Sequence, residues 1–174
     1  MSKIAKSSDK EVSAREFSSG GIIYRQNGGK LLWLIRKTSA SDMFPKTYWM
    51  LPKGWLDDLG PDIPGPMAKG EIRASEEILQ NTALREVSEE TGVVSKIIDK
   101  IGTIKFFYTH PTRGRILKFV TFYLMEYVKD LPEGFDFETS KVAWLSFDEA
   151  YKTLSFSMEK NVLKDAEKLY QNSV

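Results

Sequence analysis

The chain has 174 residues, 41% of them hydrophobic, so it is the size of one domain and long enough to bury a core. A formal charge of +1 marks neither nucleic acid nor an anionic membrane as a partner, and the absence of cysteine excludes disulfides, thiolate nucleophiles and cysteine-ligated zinc. With His110 as the one histidine a histidine-rich zinc site is excluded too, so any metal must be held by oxygen, as a hard cation such as Mg²⁺ or Mn²⁺.

Residues 1–14 read as a polar, flexible tail without the apolar run of a signal peptide, and no stretch of the chain is apolar for long enough to cross a bilayer. A cytoplasmic location and a single domain over 15–174 are expected. Strands are predicted over 17–24 and 31–35, joined through Asn27-Gly28-Gly29, a strong hairpin signal. A short apolar run over 48–51 ends at Pro52-Lys53-Gly54. Residues 55–70 then bring three prolines, Gly60, Gly65 and three aspartates, a composition that predicts irregular loop. This segment reads as an insertion, a passive surface loop in preference to a substrate lid.

Ser75 is the expected N-cap of a helix, with Glu76 and Glu77 in the first turn, where the helix dipole favours acids. The helix should run to Thr91 and stop at Gly92. Residues 97–108 and 116–128 are rich in β-branched and aromatic side chains and predict two strands turning at Thr112-Arg113-Gly114. A strand over 142–145 and short helices near 147–154 and 158–170 complete the chain. Hairpins combined with a helical crossover predict an α/β fold: a mixed sheet with helices on both faces.

The helix carries the chemistry. Glu86, Glu89 and Glu90 stand at i, i+3 and i+4 and so share one face within reach of a single ion. Surface helices usually interleave opposite charges, yet between Ser75 and Thr91 five glutamates face only Arg85. Leu79, Ala83 and Val87 form the apolar stripe, and at about 100° per residue Glu86 and Glu90 fall about 20° to either side of it. Acids beside a buried edge need a partner, because an unpaired buried charge is very costly. A solvated helix face is the competing reading.

Arg85-Glu86-Val87-Ser88-Glu89-Glu90-Thr91-Gly92-Val93 also resembles the second half of the signature of the Nudix hydrolase family, with every fixed position filled. Leu51-Pro52-Lys53-Gly54, the Gly20-Gly21 strand start and Trp144 fit the family layout, and the resemblance covers most of the chain from about Phe17 onward. It implies an α/β/α sandwich with a mixed central sheet. The first half of the signature departs from the pattern: Gly54 and Gly70-Glu71 are separated by the insertion, so either Glu71 or Glu77 is the first signature glutamate. Asp57 stands where many members place another acid.

By resemblance, Glu86, Glu89 and Glu90 coordinate Mg²⁺, Glu90 and Glu86 foremost, helped by a carbonyl near Gly54, while Arg85 orients the glutamates. One glutamate, or a loop acid outside the signature, would act as general base on the attacking water. Lys53, Arg113, Arg115 and Lys118 resemble the branch that cleaves diadenosine polyphosphates, as does the Glu138–Trp144 spacing. These cations and Arg36 are candidate phosphate contacts, with solvated surface charge as the alternative for each. Tyr48, Trp55 or Tyr151 is a candidate for stacking a base, with core packing as the alternative. His110 is read as structural, with phosphate contact as the alternative. The implied partner is a small-molecule nucleotide, with no stable nucleic-acid complex and no membrane. Rival substrates are ADP-ribose, an RNA 5′ end and oxidised nucleoside triphosphates; a non-catalytic nucleotide-binding module is the reading from another class.

Overall fold

The computed structural model describes residues 11–12 and 14–174, so most of the tail expected over 1–14 lies outside the described residues. Strands β1 (Ala14–Asn27) and β2 (Lys30–Thr38) form the expected hairpin. Gly28 and Gly29 take φ of 58° and 78°, the left-handed pair that a two-residue turn between twisted strands requires. Two short strands follow, β3 (Trp49–Met50) and β4 (Lys53–Trp55), then the small hairpin β5 (Asp58–Gly60) and β6 (Ile63–Pro64). Next come α1 (Glu76–Thr91), the long hairpin β7 (Val93–His110) and β8 (Gly114–Asp130), β9 (Thr139–Leu145), α2 (Phe147–Thr153) and α3 (Ser157–Ser173).

The main sheet runs β3-β2-β1-β8-β7, with β4 added to β1 and β9 to β2. It is mixed as expected: β1 and β8 are parallel and the other pairs antiparallel. A parallel pair needs a long crossover, and here the stretch between β1 and β8 includes α1. Side chains alternate across the sheet, and both faces are apolar. Ile22, Trp33, Ile35, Phe122 and Leu124 pack under α2 and α3, against Ala150, Leu154 and Leu163. Their neighbours Ile23, Leu34, Tyr123 and Met125 pack under α1, against Ala83 and Val87. This two-sided burial explains why the central strands read as continuous apolar runs.

Helix α1 begins and ends as its sequence requires. The Ser75 hydroxyl accepts from the Ile78 N–H (3.2 Å), and Gly92, at φ 72°, donates its N–H to the Ser88 carbonyl (2.9 Å). A Cβ at Gly92 would also lie 2.6 Å from the Gly134 backbone, so the loop after β8 packs against the helix end. Among the described residues no helix is long and apolar enough to cross a membrane.

Two elements differ from expectation. Helix α3 is 17 residues long rather than short. The insertion holds a hairpin, and one side chain closes its base: the Asp57 carboxylate accepts from the N–H groups of Ala68 (2.7 Å) and Met67 (3.1 Å). Gly65 leaves room for this carboxylate, since a Cβ there would sit 2.4 Å from the Asp57 carboxyl carbon. Hydrogen bonds to a charged acceptor contribute about 1.5–3 kcal/mol each, so Asp57→Ala is expected to lower unfolding stability by about 2–3 kcal/mol and expose the insertion to limited proteolysis. Wild-type resistance to protease at 55–70 in that variant would show that the carboxylate does not hold the segment.

Candidate functional site

Pairing of β4 with β1 lays Lys53 opposite Gly20 and Gly54 opposite Ser19, which brings this short strand alongside the glutamate face of α1. The consequence of the helical spacing is direct: Glu86 and Glu90 are 9% and 3% exposed, whereas Glu89 remains half-exposed. Glu86 rests on Gly54, where any Cβ would stand 2.1 Å from its carboxyl carbon. Glu90 accepts the Lys53 backbone N–H (2.9 Å) and lies 3.4 Å from Arg36. Arg85 forks between the other two, with Nη2 2.7 Å from Glu86 and Nη1 2.9 Å from Glu89, and reaches the Trp55 carbonyl at 3.4 Å.

Neither candidate for the first signature glutamate meets Arg85. Glu71 pairs with Lys69 on the surface (3.2 Å) and Glu77 is exposed, so Asp57 is the acid that ties down the loop.

Glu86 and Glu90 are only partly compensated by their partners. Burial pushes Glu86 up to about 7 despite the attraction of Arg85, with Glu89 and Glu138 adding to the rise. Burial pushes Glu90 up to about 8 against the pull of Arg36 and Lys53. Among the described residues no three acids converge on one point, because Arg85 lies between Glu86 and Glu89 and Glu90 bonds to the Lys53 amide. The donor set nevertheless fits a hard dication: all oxygen, deficient in positive charge, and set against a glycine whose missing Cβ admits a carboxylate.

Glu86 and Glu89, but not the buried Glu90, line a cleft of about 960 Å³. Its walls are β4, the tip of the insertion at Asp58, Gly60, Pro61 and Asp62, the end of β7, the loop at Asp136 and Glu138, and the start of α3. The tip of the insertion thus borders the cleft. Among the described residues the lining carries eight carboxylates and only four cationic side chains, Lys53, Arg85, Arg113 and Lys118.

Of the expected substrate contacts, Lys53, Arg113, Lys118 and Tyr48 line the cleft, and Arg36 and Arg115 do not. Arg36 follows Leu34 by two residues and so shares the sheet face under α1. There it is 4% exposed, donating to Thr139 (2.8 Å) and the Glu138 carbonyl (2.9 Å) beneath Glu90. Arg115 is three residues from Lys118 and therefore on the opposite face of β8, over the Phe107 ring at 4.1 Å. Tyr48 leans on Phe156 (5.1 Å), and Arg113 lies over Trp55 (5.5 Å). Tyr151 stacks on Phe147 away from the cleft, and Trp144 packs under Arg25. His110 is structural in its bonding: Nδ1 accepts from the N–H groups of Thr112 and Arg113, both at 3.2 Å.

Sequence reasoning missed Glu16 and Glu159. Glu159 binds the Lys53 ammonium (2.8 Å) and the Leu51 N–H (2.7 Å). Glu16, 1% exposed, binds Arg113 (2.7 Å) and the Tyr108 hydroxyl (2.7 Å). The signal for Glu16 was its position in β1, an even number of residues from Ile22 and hence on a covered face.

The NUDIX domain family matches residues 15–166. A curated relative, "Putative mutator protein MutT4" of Mycobacterium tuberculosis (strain CDC 1551 / Oshkosh), is 27% identical over 158 residues, 90% of this chain; the chain spans 56% of that relative's length. A C. elegans Ap4A hydrolase binary complex superposes with a TM-score of 0.60 at 18% identity, covering 90% of this chain and 98% of that one. The NUDIX domain of Shewanella oneidensis NrtR complexed with ADP ribose gives 0.60 at 18% identity, covering 90% and 89%.

The buried acids set a pH dependence. A carboxyl raised in the fold stabilises it while protonated, an effect present below about 4.5 and lost as pH climbs through about 7 for Glu86 and about 8 for Glu90. Metal-free Glu90→Gln, which mimics the protonated acid, should melt close to wild type near about pH 5 and several degrees above it near about pH 9. Mg²⁺ should raise the Tm of wild type far more than that of the variant. A Tm difference that stays constant across this range would remove the buried-charge account.

Proposed function

Because the chain belongs to the NUDIX domain family, we propose that it is a hydrolase that splits a phosphoanhydride bond of a dinucleoside polyphosphate such as diadenosine tetraphosphate, using water and a divalent cation. The observation that carries this reading is the lining of the cleft: buried Glu86 and half-exposed Glu89 share its walls with Lys53, Arg113 and Lys118 around a volume of about 960 Å³. A C. elegans Ap4A hydrolase and a NUDIX domain complexed with ADP ribose share the fold equally, so the cleft and not the fold supports the choice of substrate.

A polyanion cannot enter a lining of eight carboxylates and four cations without added positive charge. Glu86, Glu89 and Glu90, with the Gly54 carbonyl, would hold Mg²⁺ or Mn²⁺, which when bound neutralises phosphate oxygens and polarises the attacked phosphorus. The protein's own groups do the rest. Arg85 keeps Glu86 and Glu89 aimed along one side of the helix, and Arg36 and Thr139 fix the turn that carries Glu90. Lys53, Arg113 and Lys118 receive phosphate oxygens beyond the reacting bond. Tyr48, 38% exposed beside Phe156, offers a face for the base.

The attacking water needs a proton acceptor, and Glu138 suits that role. It lines the cleft, and burial followed by the charge of Asp136 raises its carboxyl above the ordinary value, which makes it a stronger proton acceptor. The excess of acids in the lining tells against an extended nucleic-acid groove, and the bounded volume of about 960 Å³ suits a small-molecule nucleotide carried in with a cation.

A substrate panel with Mg²⁺ tests the reading. Diadenosine tetraphosphate should yield ATP and AMP, and Glu86→Gln and Glu90→Gln should each lower kcat by about 10²-fold or more while the far-ultraviolet spectrum stays native. Turnover confined to ADP-ribose or to an RNA 5′ end would replace the substrate. Undiminished turnover in both glutamine variants would remove the glutamates from the chemistry.

A further inference from the structure

Two cations of the cleft, Arg113 and Lys118, meet at one buried acid. We propose that Glu16 is a positioning residue that holds Arg113 and Lys118 together as a preformed clamp for phosphate oxygens of the substrate. The proposal rests on the reading of the cleft as a polyphosphate site and adds the residue that builds its specificity.

Three features of the geometry support it. First, the carboxylate spans the pair: Oε1 is 2.7 Å from Arg113 Nη1, and Oε2 accepts the Tyr108 hydroxyl at 2.7 Å and stands 3.7 Å from Lys118 Nζ. The two cations are drawn to one carboxylate, so the group keeps a net positive charge. At 3.7 Å Lys118 is held by charge rather than by a hydrogen bond, which leaves its N–H donors for a ligand. Second, the Glu16 side chain is 1% exposed, and Arg113 is braced over Trp55 at 5.5 Å. Glu16, Tyr108, Arg113 and Lys118 all line the cleft, whereas a purely structural ion pair has no need to border it. Third, the anchor is ionised. Burial works to raise the Glu16 carboxyl, yet Lys118, Tyr108, Arg113 and Trp55 together hold it below the usual carboxylate range.

Lys118 responds to this arrangement. Burial and the charges of Lys53 on β4 and Arg113 in the turn lower its ammonium, while Glu16 on β1 and Glu90 on α1 support it; the Tyr108 ring of β7 lies 5.8 Å away. Without the Glu16 charge Lys118 loses its proton at lower pH, and a polyphosphate then meets a neutral amine.

Binding of inorganic tripolyphosphate at saturating Mg²⁺, by titration calorimetry from neutral into alkaline pH, reads the clamp without turnover. Glu16→Gln should weaken binding about tenfold near neutrality and move the fall-off of affinity to lower pH, and Lys118→Met should abolish that fall-off in either background. Glu16→Asp keeps the charge but shortens its reach, so it should lose affinity while retaining the wild-type pH course. It serves as the test if the glutamine variant does not fold. Folded Glu16 variants that bind with wild-type affinity and pH course overturn the proposal, as does a wild type that does not bind tripolyphosphate. Tripolyphosphate binding with this pattern, in a protein that hydrolyses no dinucleoside polyphosphate, would uphold the clamp and reject the substrate.

Discussion

The structure turns on two carboxylates placed where water barely reaches them. Glu86 and Glu90 flank the apolar stripe of α1, so the packing that seats Ala83 and Val87 on the sheet also carries both acids inward. Desolvating a charge is costly unless something answers it. Here the answers are partial: one guanidinium forked between Glu86 and Glu89, one amide N–H and one 3.4 Å ion pair for Glu90. The shortfall is large enough to lift both carboxyls to near neutrality. It is the kind of deficit that a divalent cation fills.

The rest of the cleft is arranged around that deficit. Gly54 has to be a glycine because Glu86 occupies the space of its Cβ. Arg36, Thr139 and the Glu138 carbonyl form a support under Glu90 rather than a contact for substrate. Cations that do face the cleft are each steadied by a buried acid, Lys53 by Glu159 and Arg113 by Glu16. Such pairing costs net positive potential but fixes the position of each cation.

Much of this was legible in the sequence because it is local. Ser75, Gly92 and the 3.6-residue period define α1 from cap to cap, and the same period places the three glutamates. Gly28 and Gly29 announce their turn through backbone freedom alone. What stayed hidden depends on distant pairing. Glu16 meets Arg113 only because β1 lies parallel to β8, a register that no local pattern encodes. Arg36 resembled a surface cation at a strand end, yet the two-residue alternation from Leu34 already pointed it towards α1. In the insertion, the density of proline and glycine concealed a short hairpin whose base is closed by Asp57.

The most direct test is the number of protons released when Mg²⁺ binds, from calorimetric titrations in buffers of different ionisation enthalpy. With Glu86 at about 7 and Glu90 at about 8, binding near pH 7 should expel about one to one and a half protons per protein, falling towards none by about pH 10. Mg²⁺ binding that releases no protons at neutral pH would mean that both acids were already ionised, contradicting the account at its root.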